Sequence, residues 1–422
     1  MRLLHVVHQY PPEHMGGTEI YTRTLAYGLA NRGHQVAVFH RRDGEGVGHA
    51  CRTEGEVQVW SAWNGLPGPT RRFLATFGDG PILQAFQHVL EETRPALVHI
   101  QHLMGLPAAV FDVLRRSGVP FVVTLWDFWW FCANAQLLTN FSQEVCEGPR
   151  AFINCAHCVV ARAGHPELRL ASPVLAGPLA WRNQLLRRGL QAARRLIAPT
   201  EFVRRLYVEH GAPAEGLVTL APGTEYPPPE LCRAERPAGA PLRFVYVGGL
   251  SWQKGIHVVV EAFEGVRGAV ELWIAGDESF DPDYTAKLRA LAGPRVRFLG
   301  KLSRAAVWET LSQADAVVVS SLWYETFSFI VHEAFAAGIP VVASNLGVMA
   351  DRVRDGVDGL LVPPGDVPGW RSALQGLVDA PARLTQFRAG IQPPLTVGQH
   401  LDDIETLYTR STVRTCLAPP EA

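Results

Sequence analysis

The chain is poor in lysine and carries almost no net charge. It contains three lysines, Lys254, Lys287 and Lys301, and its formal net charge at pH 7 is −1. A near-neutral chain has no overall electrostatic attraction to nucleic acid. The sequence therefore predicts no nucleic-acid partner, and arginine supplies the remaining positive charge.

Long apolar runs are also absent from the sequence. No run reaches the ~18 apolar residues of a membrane span, and the first apolar stretch, residues 3–7, is too short for the core of a secretory signal. We therefore expect a cytoplasmic protein, with peripheral contact at the inner face of the membrane left open. With 422 residues, of which 47% are apolar, the chain is long enough for two or three domains of ~150 residues.

Strand-like and helix-like segments alternate along the chain. Short apolar runs at residues 3–7, 242–247 and 316–319 predict buried parallel strands, and helical patterns lie between such runs. This alternation predicts an α/β protein with two doubly wound sheets. Thr200 is predicted to cap a helix from Glu201 to Glu209. Residues 41–80 lack a regular pattern and are predicted to be irregular.

A stretch rich in Pro, Gly and Ala divides the chain. Residues 223–241 predict an interdomain linker for this reason. The linker separates a first Rossmann-like domain, residues 1–222, from a second one at residues 242–388. Residues 389–422 predict a C-terminal helix.

Two carboxylates lie eight residues apart in the segment 320–338. Glu325 follows a predicted strand and precedes a helix predicted to span 327–338, in which Glu333 lies two turns from the start. Backbone N–H groups at the helix start, around Phe327 and Ser328, suit an anion or a ring of hydroxyls. Ligands of open α/β sheets bind at this edge. An isolated pair of this kind is more often a helix-terminal charge and a solvated carboxylate. A ligand-binding role therefore depends on what the surrounding segments contain.

Glycine-rich loops occur between strands and helices in both halves. Residues 248–255 combine glycines with Lys254, which is a phosphate-binding arrangement of backbone N–H groups and one point charge, although the spacing is not that of a P-loop. Gly16 and Gly17 begin another predicted helix, where the backbone can approach a phosphate; a plain turn is the alternative. Gly276 marks a further loop of close approach.

The segment around Glu325 and Glu333 resembles the Glu-x7-Glu signature of retaining, nucleotide-sugar-dependent glycosyltransferases with the GT-B fold, of the group 1 or family 4 type. The resemblance includes the aromatic Tyr324 and the run Gly338-Ile339-Pro340-Val341-Val342, and it covers nearly the whole chain. It implies two Rossmann-like domains facing a cleft, an acceptor domain followed by a donor domain. It also implies that the C-terminal helix crosses back to the first domain.

The resemblance also implies roles for individual residues. Glu325 orients the transferred sugar, Lys254 stabilises the leaving diphosphate, and Glu333 binds the ribose hydroxyls. The other implied donor-binding positions are Gly16, Gly17, Gly248, Gly276, Leu302, Phe327 and Ser328. The implied donor is a UDP- or GDP-sugar and the acceptor a saccharide or lipid-linked hydroxyl, in polysaccharide or glycoconjugate synthesis. Catalysis is expected to need no metal or other cofactor.

Two of the departures from the family pattern fall on the predicted site. Gly249 stands where the family has an arginine that holds the diphosphate, and Trp126 stands where many relatives have a histidine. Trp126 cannot transfer a proton but can stack on a sugar, and with Asp127 it forms the predicted sugar or acceptor contact; a hydrophobic core is the alternative for this aromatic cluster. Both departures motivate a second hypothesis, a sugar-nucleotide-binding protein without transferase activity.

Four cysteines lie close together in sequence at Cys132, Cys146, Cys155 and Cys158, and the last two form a Cys-x-x-Cys pair. In a cytoplasmic protein this pattern favours a structural zinc site that holds an excursion, residues 132–158, from the first domain. Buried free thiols, or a disulfide in an exported protein, are the alternatives.

The arginines between residues 182 and 205 predict a solvated basic face or a contact with an anionic lipid-linked acceptor.

Overall fold

The fold is taken from a computed structural model, which describes residues 1–65, 68–231 and 239–412. The chain forms two compact units, one of residues 1–222 together with the chain from Gly398, and one of Gly223–Val397. Each unit contains its own predominantly parallel sheet with helices. The α/β prediction with two Rossmann-like domains is therefore confirmed.

The first unit is built on an eight-stranded sheet. Its strands are β1 Arg2–Val7, β2 Gln35–Arg41, β3 Val47–Glu54, β4 Val57–Asn64, β5 Leu97–Ile100, β6 Phe121–Thr124, β7 Arg195–Ala198 and β8 Leu217–Thr219. Their order in the sheet is β3-β4-β2-β1-β5-β6-β7-β8, and only β3 runs antiparallel to its neighbour. The helices are α1 Gly17–Asn31, α2 Pro69–Ala75, α3 Gly80–Thr93, α4 Val110–Ser117, α5 Ile153–Arg162, α6 Ser172–Ala192 and α7 Glu201–Glu209.

The prediction that residues 41–80 are irregular is wrong. The segment contains the β3–β4 hairpin, helix α2 and the start of α3. β3 is an edge strand whose side chains are all exposed or half-buried, so it lacks the apolar alternation by which strands are recognised. Val57 and Val59 on β4 do face the core, and Gly55, at φ 57°, makes the turn between the two strands.

The second unit contains a six-stranded, fully parallel sheet. Its strands are β9 Leu242–Val247, β10 Val270–Ala275, β11 Val296–Gly300, β12 Ala316–Val319, β13 Val341–Ser344 and β14 Gly359–Val362, in the order β11-β10-β9-β12-β13-β14. The helices are α8 Ile256–Glu264, α9 Pro282–Leu291, α10 Arg304–Ser312, α11 Phe329–Ala336, α12 Val348–Arg352, α13 Val367–Asp379 and α14 Ala382–Gly390. The predicted strands at 242–247 and 316–319 are confirmed without a shift.

Two predicted boundaries acquire definite structure. The last helix, α15 Val397–Thr412, packs in the first unit, where the Tyr21 hydroxyl bonds His400 Nε2 at 2.7 Å. The predicted linker at 223–241 contains a 3₁₀ turn at Pro229–Leu231. Its described residues belong to the second unit, and the rest lie outside the described residues.

The predicted helix cap is confirmed, because Thr200 Oγ1 accepts the Val203 amide at 3.2 Å. No helix among the described residues combines the length and apolarity needed to cross a bilayer.

The strand order places two pairs of loops side by side. In the first sheet the direction of winding reverses between β1 and β5, and in the second it reverses between β9 and β12. The loops that follow such neighbouring parallel strands leave from the same edge of the sheet and diverge to opposite faces, which opens a crevice between them. The residues after β9 and β12 are the glycine-rich loop with Lys254 and the segment with Glu325.

Candidate active site

Lys254 and Glu325 meet at the edge of the second sheet. Lys254 Nζ lies 2.6 Å from Glu325 Oε1, and the two side chains are 31% and 12% exposed. The same carboxylate oxygen accepts hydrogen bonds from Ser321 Oγ at 2.8 Å and from Trp323 Nε1 at 3.1 Å. The ammonium group also lies 5.5 Å from the centre of the Trp323 ring. The sequence-predicted catalytic residues therefore form one preorganised cluster.

The Glu325 carboxylate is held in its charged form. Burial by itself would raise its pKa, but the charge and hydrogen bond of Lys254, with the bonds from Ser321 and Trp323, outweigh burial and lower the pKa. A carboxylate with a lowered pKa accepts hydrogen bonds at neutral pH and does not serve as a proton donor. Glu325 is thus suited to orienting a sugar hydroxyl.

Tight backbone contacts position this cluster. Gly255 has φ 69°, and a Cβ added there would lie 2.0 Å from the Ser320 carbonyl oxygen. Beside it, Ser320 Oγ donates to the Lys254 carbonyl at 3.1 Å, and the Leu322 amide donates to the Gln253 carbonyl at 2.9 Å. Only glycine combines this conformation with this approach, so Gly255 sets how closely the Lys254 loop lies against the Glu325 segment.

Glu333 is paired with an arginine that the sequence analysis did not identify. Arg304 Nη1 lies 2.6 Å from Glu333 Oε1, and Arg304 Nε lies 2.9 Å from Glu225 Oε2. Burial raises the pKa of Glu333, while Arg304 acts to lower it. Arg304 begins α10, directly after the loop that contains Leu302. Its position could have been inferred from the rule that ligand-binding groups follow strands, because it comes shortly after β11.

The helix that carries Glu333 begins later than predicted. α11 starts at Phe329, and not at Phe327, because Ser328 adopts a left-handed conformation with φ 61°. The Phe327 ring is 2% exposed and stacks on His332 at 3.9 Å. Phe327 therefore anchors the turn, and its predicted donor-binding role would have to use its backbone.

The other glycine loops of the second unit pack against each other. The Gly276 amide donates to the Gly300 carbonyl at 2.9 Å, and a Cβ on Gly276 would lie 2.3 Å from the Gly248 carbonyl oxygen. Nothing lies within 4 Å of a Cβ built on Gly249. Leu302 is half-buried just before α10. Close packing thus accounts for Gly276 and Gly248, and donor binding by these residues stays a prediction.

The helix start at Gly16 and Gly17 is occupied by a carboxylate of the chain itself. Glu19, in the first turn of α1, lies so close to Gly16 that a Cβ there would be 2.4 Å from Glu19 Oε2. His8 Nε2 lies 3.3 Å from Glu19 Oε1, and burial raises the pKa of Glu19. A phosphate that binds to these amides would have to displace the Glu19 carboxylate. The sequence analysis did not predict that this carboxylate lies at the helix start.

Trp126 is part of the core of the first unit. Its side chain is 5% exposed, lies edge-on to Tyr21 at 4.5 Å, and donates from Nε1 to Gln101 Oε1 at 2.9 Å. This burial leaves little surface for a sugar and contradicts the predicted stacking role. The aromatic cluster that follows Trp126 is buried as well: Phe128, Trp129, Trp130 and Phe131.

Asp127, by contrast, has a partly exposed carboxylate that is fixed by hydrogen bonds. Its side chain is 31% exposed, Oδ1 accepts the Trp129 amide at 2.8 Å, and Oδ2 lies 3.0 Å from His102 Nε2. His102 Nδ1 accepts the Met104 amide at 3.0 Å, so Nε2 carries the ring proton and donates to Asp127. His102 follows β5 at the switch point of the first sheet, a location by which it could have been found from sequence.

The predicted basic face between residues 182 and 205 is wrong for its first member. Arg182 is 1% exposed and lies over the Trp129 ring at 4.5 Å. It comes from the interior face of α6. An arginine can pack its apolar stem into the interior, so its position in a helical pattern does not show whether it lies on the buried or the exposed face.

Comparison with known proteins identifies the family. Residues 16–223 match the family model of the glycosyl transferase 4-like domain, and residues 241–380 match that of glycosyl transferases group 1. The chain belongs to these glycosyltransferases. The two matches lie one in each half of the chain, as expected for the GT-B fold.

Curated relatives of this glycosyltransferase match over part of their length. The chain is 36% identical over 155 residues to glycogen synthase of Mycobacterium tuberculosis, and the match covers 35% of this chain and 37% of that protein. It is 33% identical over 203 residues to D-inositol 3-phosphate glycosyltransferase of Mycolicibacterium paratuberculosis, covering 46% of each. The chain thus spans less than half the length of these two relatives.

Solved structures show the same fold over the whole chain. Sucrose-phosphate synthase from Thermosynechococcus elongatus has a TM-score of 0.71 at 21% identity, covering 97% of this chain and 98% of that one. HepE from Anabaena, in complex with UDP and glucose, has a TM-score of 0.68 at 18% identity, covering 97% and 99%. At such low identity the likeness shows the GT-B fold alone.

The four clustered cysteines of the glycosyltransferase lie in the excursion between β6 and α5 and at the start of α5. Cys132, Cys146, Cys155 and Cys158 are free thiols and are buried or half-buried. Within the described ranges, no three His, Cys, Asp or Glu side chains are placed so as to hold a metal ion. The arrangement is not a formed coordination site.

Proposed function

We propose that the protein transfers a sugar from a nucleoside diphosphate sugar, linked to UDP or GDP, to an acceptor hydroxyl with retention of the anomeric configuration. The observation that carries the proposal is the Lys254–Glu325 pair between β9 and β12, with Glu333 beside Arg304 on the same edge of the sheet. A cation and two carboxylates suit a diphosphate, a sugar and a ribose. HepE, which shares the fold, is described in complex with UDP-glucose, which supports a nucleotide-sugar donor.

In the proposed reaction the bond between the anomeric carbon and the diphosphate oxygen breaks, and the acceptor oxygen bonds to that carbon from the same face. The acceptor proton passes to the leaving diphosphate. Lys254 stabilises the charge that develops on the diphosphate, which is where preorganised electrostatics contribute most. Glu325, kept ionised, accepts a hydrogen bond from the sugar and fixes its orientation.

The proposed acceptor is a saccharide or lipid-linked hydroxyl, met by a cytoplasmic protein at the inner face of the membrane. The first unit exposes apolar side chains just before α6 and in its first half: Leu170 is 88%, Val174 78% and Trp181 55% exposed. Arg169 lies among them. Exposed apolar side chains with adjacent basic groups favour the surface of an anionic bilayer.

The transfer reaction is tested with a panel of UDP- and GDP-sugars and saccharide or polyprenyl-phosphate-linked acceptors. We expect one nucleotide to be released in step with product, and NMR of the product to show the donor's anomeric configuration. Glu325→Gln should lower turnover, while the exposed Glu309→Gln should not. An inverted product would overturn retention. Tight sugar-nucleotide binding without transfer to any acceptor would favour the alternative of a binding protein without transferase activity.

Membrane association is tested by flotation with vesicles of phosphatidylglycerol and, separately, of phosphatidylcholine. We expect the protein to float with the anionic vesicles, and the double variant Leu170→Ser, Val174→Ser to float less. Leu291→Ser, at an exposed leucine of the second unit, is the matched control. Equal flotation of all three proteins would contradict the proposed surface.

A further inference from the structure

The chain between β6 and α5 is a long segment with little regular structure. Residues 125–152 contain one isolated bridge, Leu138 with Val145, and otherwise turns and bends. Several non-glycine residues there have positive φ: Ala135, Leu137, Gln143, Ala151 and Phe152. Loops longer than ~12–15 residues without secondary structure are uncommon in compact domains. Left-handed conformations of this kind persist only where the surroundings impose them, so this segment needs a source of order beyond its own backbone pairing.

Two thiols of the segment accept hydrogen bonds from backbone N–H groups. Cys146 Sγ accepts the Gly148 amide at 3.4 Å, and Cys158 Sγ accepts the Asn140 amide at 3.3 Å. A thiolate is the form in which cysteine binds a metal ion, and such outer donors orient and tune the ligand.

The chain brings the four cysteines into one region. Cys146 follows the Leu138–Val145 bridge, and its amide bonds the Leu137 carbonyl at 2.8 Å, which ties it to the turn after Cys132. Cys155 and Cys158 lie in the first turns of α5. Asn154, the residue before Cys155, donates from Nδ2 to the Cys146 sulfur at 3.8 Å. A turn, a short hairpin and a helix start thus each contribute sulfur to the same neighbourhood.

A buried cation beside these thiols lacks a carboxylate partner. Arg182 is 1% exposed and donates from Nη2 to the Trp129 carbonyl at 2.8 Å. In the described part of the chain no carboxylate lies within ion-pair distance of it. Burial lowers the pKa of Arg182 to about 10, although Cys132 and Asp127 act to raise it. Burying an uncompensated charge is costly, and a Zn²⁺ ion with four thiolates would supply a net negative charge next to Arg182.

We propose that Cys132, Cys146, Cys155 and Cys158 bind one structural Zn²⁺ ion, which orders the excursion and offsets the charge of Arg182. The thiols are not in coordinating positions in this structure, so binding requires a rearrangement that brings each sulfur to about 2.3 Å from the ion. Such a closed four-sulfur site has no open position, and its role is therefore structural.

The first test is the metal content of the wild-type protein, purified without a histidine tag and dialysed against a chelator. We expect about one zinc per chain. Replacement by Co²⁺ should produce the sulfur-to-cobalt charge-transfer band and the visible bands of a tetrahedral thiolate site. A protein that contains no zinc and whose four cysteines are all alkylated under native conditions would overturn the proposal. Loss of two hydrogens per cysteine pair in the intact mass would identify a disulfide instead.

Variants separate a bound ion from an adventitious one. Cys155→Ser with Cys158→Ser should reduce the zinc content to near zero, while Cys51→Ser, at the exposed cysteine of β3, should leave it unchanged. If the double variant does not fold, titration of wild type with a mercurial reagent should release zinc in step with modified thiols. Release without thiol modification would contradict the assignment. Arg182→Lys should hold zinc against a chelator better than Arg182→Leu. The same retention by both variants would show that the charge of Arg182 does not contribute to zinc binding.

Discussion

Lys254 Nζ and Glu325 Oε1 lie 2.6 Å apart although 71 residues separate them in the chain. The contact exists because β9 and β12 are neighbours at the point where the winding of the second sheet reverses. The pair neutralises each partner in the absence of ligand. In the proposed reaction a diphosphate would compete with Glu325 for Lys254, and its binding would therefore change the contacts of the Glu325 carboxylate.

Lys254 should be needed for binding the diphosphate but not the nucleoside. We expect Lys254→Ala to weaken binding of UDP or GDP by about 1.5–3 kcal/mol, as for the loss of a hydrogen bond to a charged group. Binding of uridine or guanosine should change little. Calorimetry checks both, with Lys287→Ala on α9 as the control. Equal losses for nucleoside and nucleoside diphosphate would mean that Lys254 acts through the fold and not on phosphate.

Glu333 should show the opposite pattern. If its carboxylate accepts hydrogen bonds from ribose, Glu333→Ala should weaken the nucleoside and the nucleoside diphosphate alike, by about 1.5–3 kcal/mol. Glu309→Ala on α10 is the exposed control. A loss restricted to phosphorylated ligands would contradict the ribose role. It would point to Arg304, freed by the substitution, as the group that had changed.

Gly249→Arg should strengthen donor binding. A Cβ at Gly249 meets nothing within 4 Å, so a larger side chain fits, and the family places its diphosphate-binding arginine here. We expect UDP or GDP to bind about tenfold more tightly, which corresponds to about 1.4 kcal/mol. Gly249→Gln, of similar length but without charge, is the control. No gain with arginine would show that the cationic site has been replaced by another group of the chain.

Gly255→Ala should destabilise the second unit. The left-handed backbone costs an alanine about 1–2 kcal/mol, and its Cβ would also clash with the Ser320 carbonyl. We expect a lower melting temperature and weaker nucleotide binding, because the clash separates the Lys254 loop from the Glu325 segment. Thermal unfolding with and without nucleotide measures both effects, and Gly249→Ala provides the unstrained comparison. Unchanged melting would contradict the close packing.

The contribution of Glu325 to stability should depend on pH. Its pKa is lowered in the folded protein from the ordinary value of 4.5. The unfolded chain therefore binds the proton more readily, and the ionised carboxylate stabilises the fold above pH 4.5 but not below the folded pKa. Glu325→Gln should be about 1–3 kcal/mol less stable at pH 7, with a difference that narrows in acid. A constant difference between pH 7 and acid, measured by denaturant unfolding, would contradict this.

Local patterns predicted much of the secondary structure. The strands at 242–247 and 316–319 and the helix from Glu201 to Glu209 match the structure, because buried parallel strands are continuous apolar runs and a capping threonine marks a helix start. The β3–β4 hairpin was missed since an edge strand buries few side chains. The later start of α11 depends on the conformation of Ser328, which no local pattern reveals.

The sequence by itself determined the alternating α/β fold and the residue types at the candidate donor site, because burial periodicity and glycine spacing are local properties of the chain. Only the tertiary structure decided which charges meet: Lys254 with Glu325, Arg304 with Glu333, and His102 with Asp127. It also decided that Trp126 and Arg182 are buried. Pairing and burial depend on strand order and helix orientation, and these bring together residues far apart in sequence.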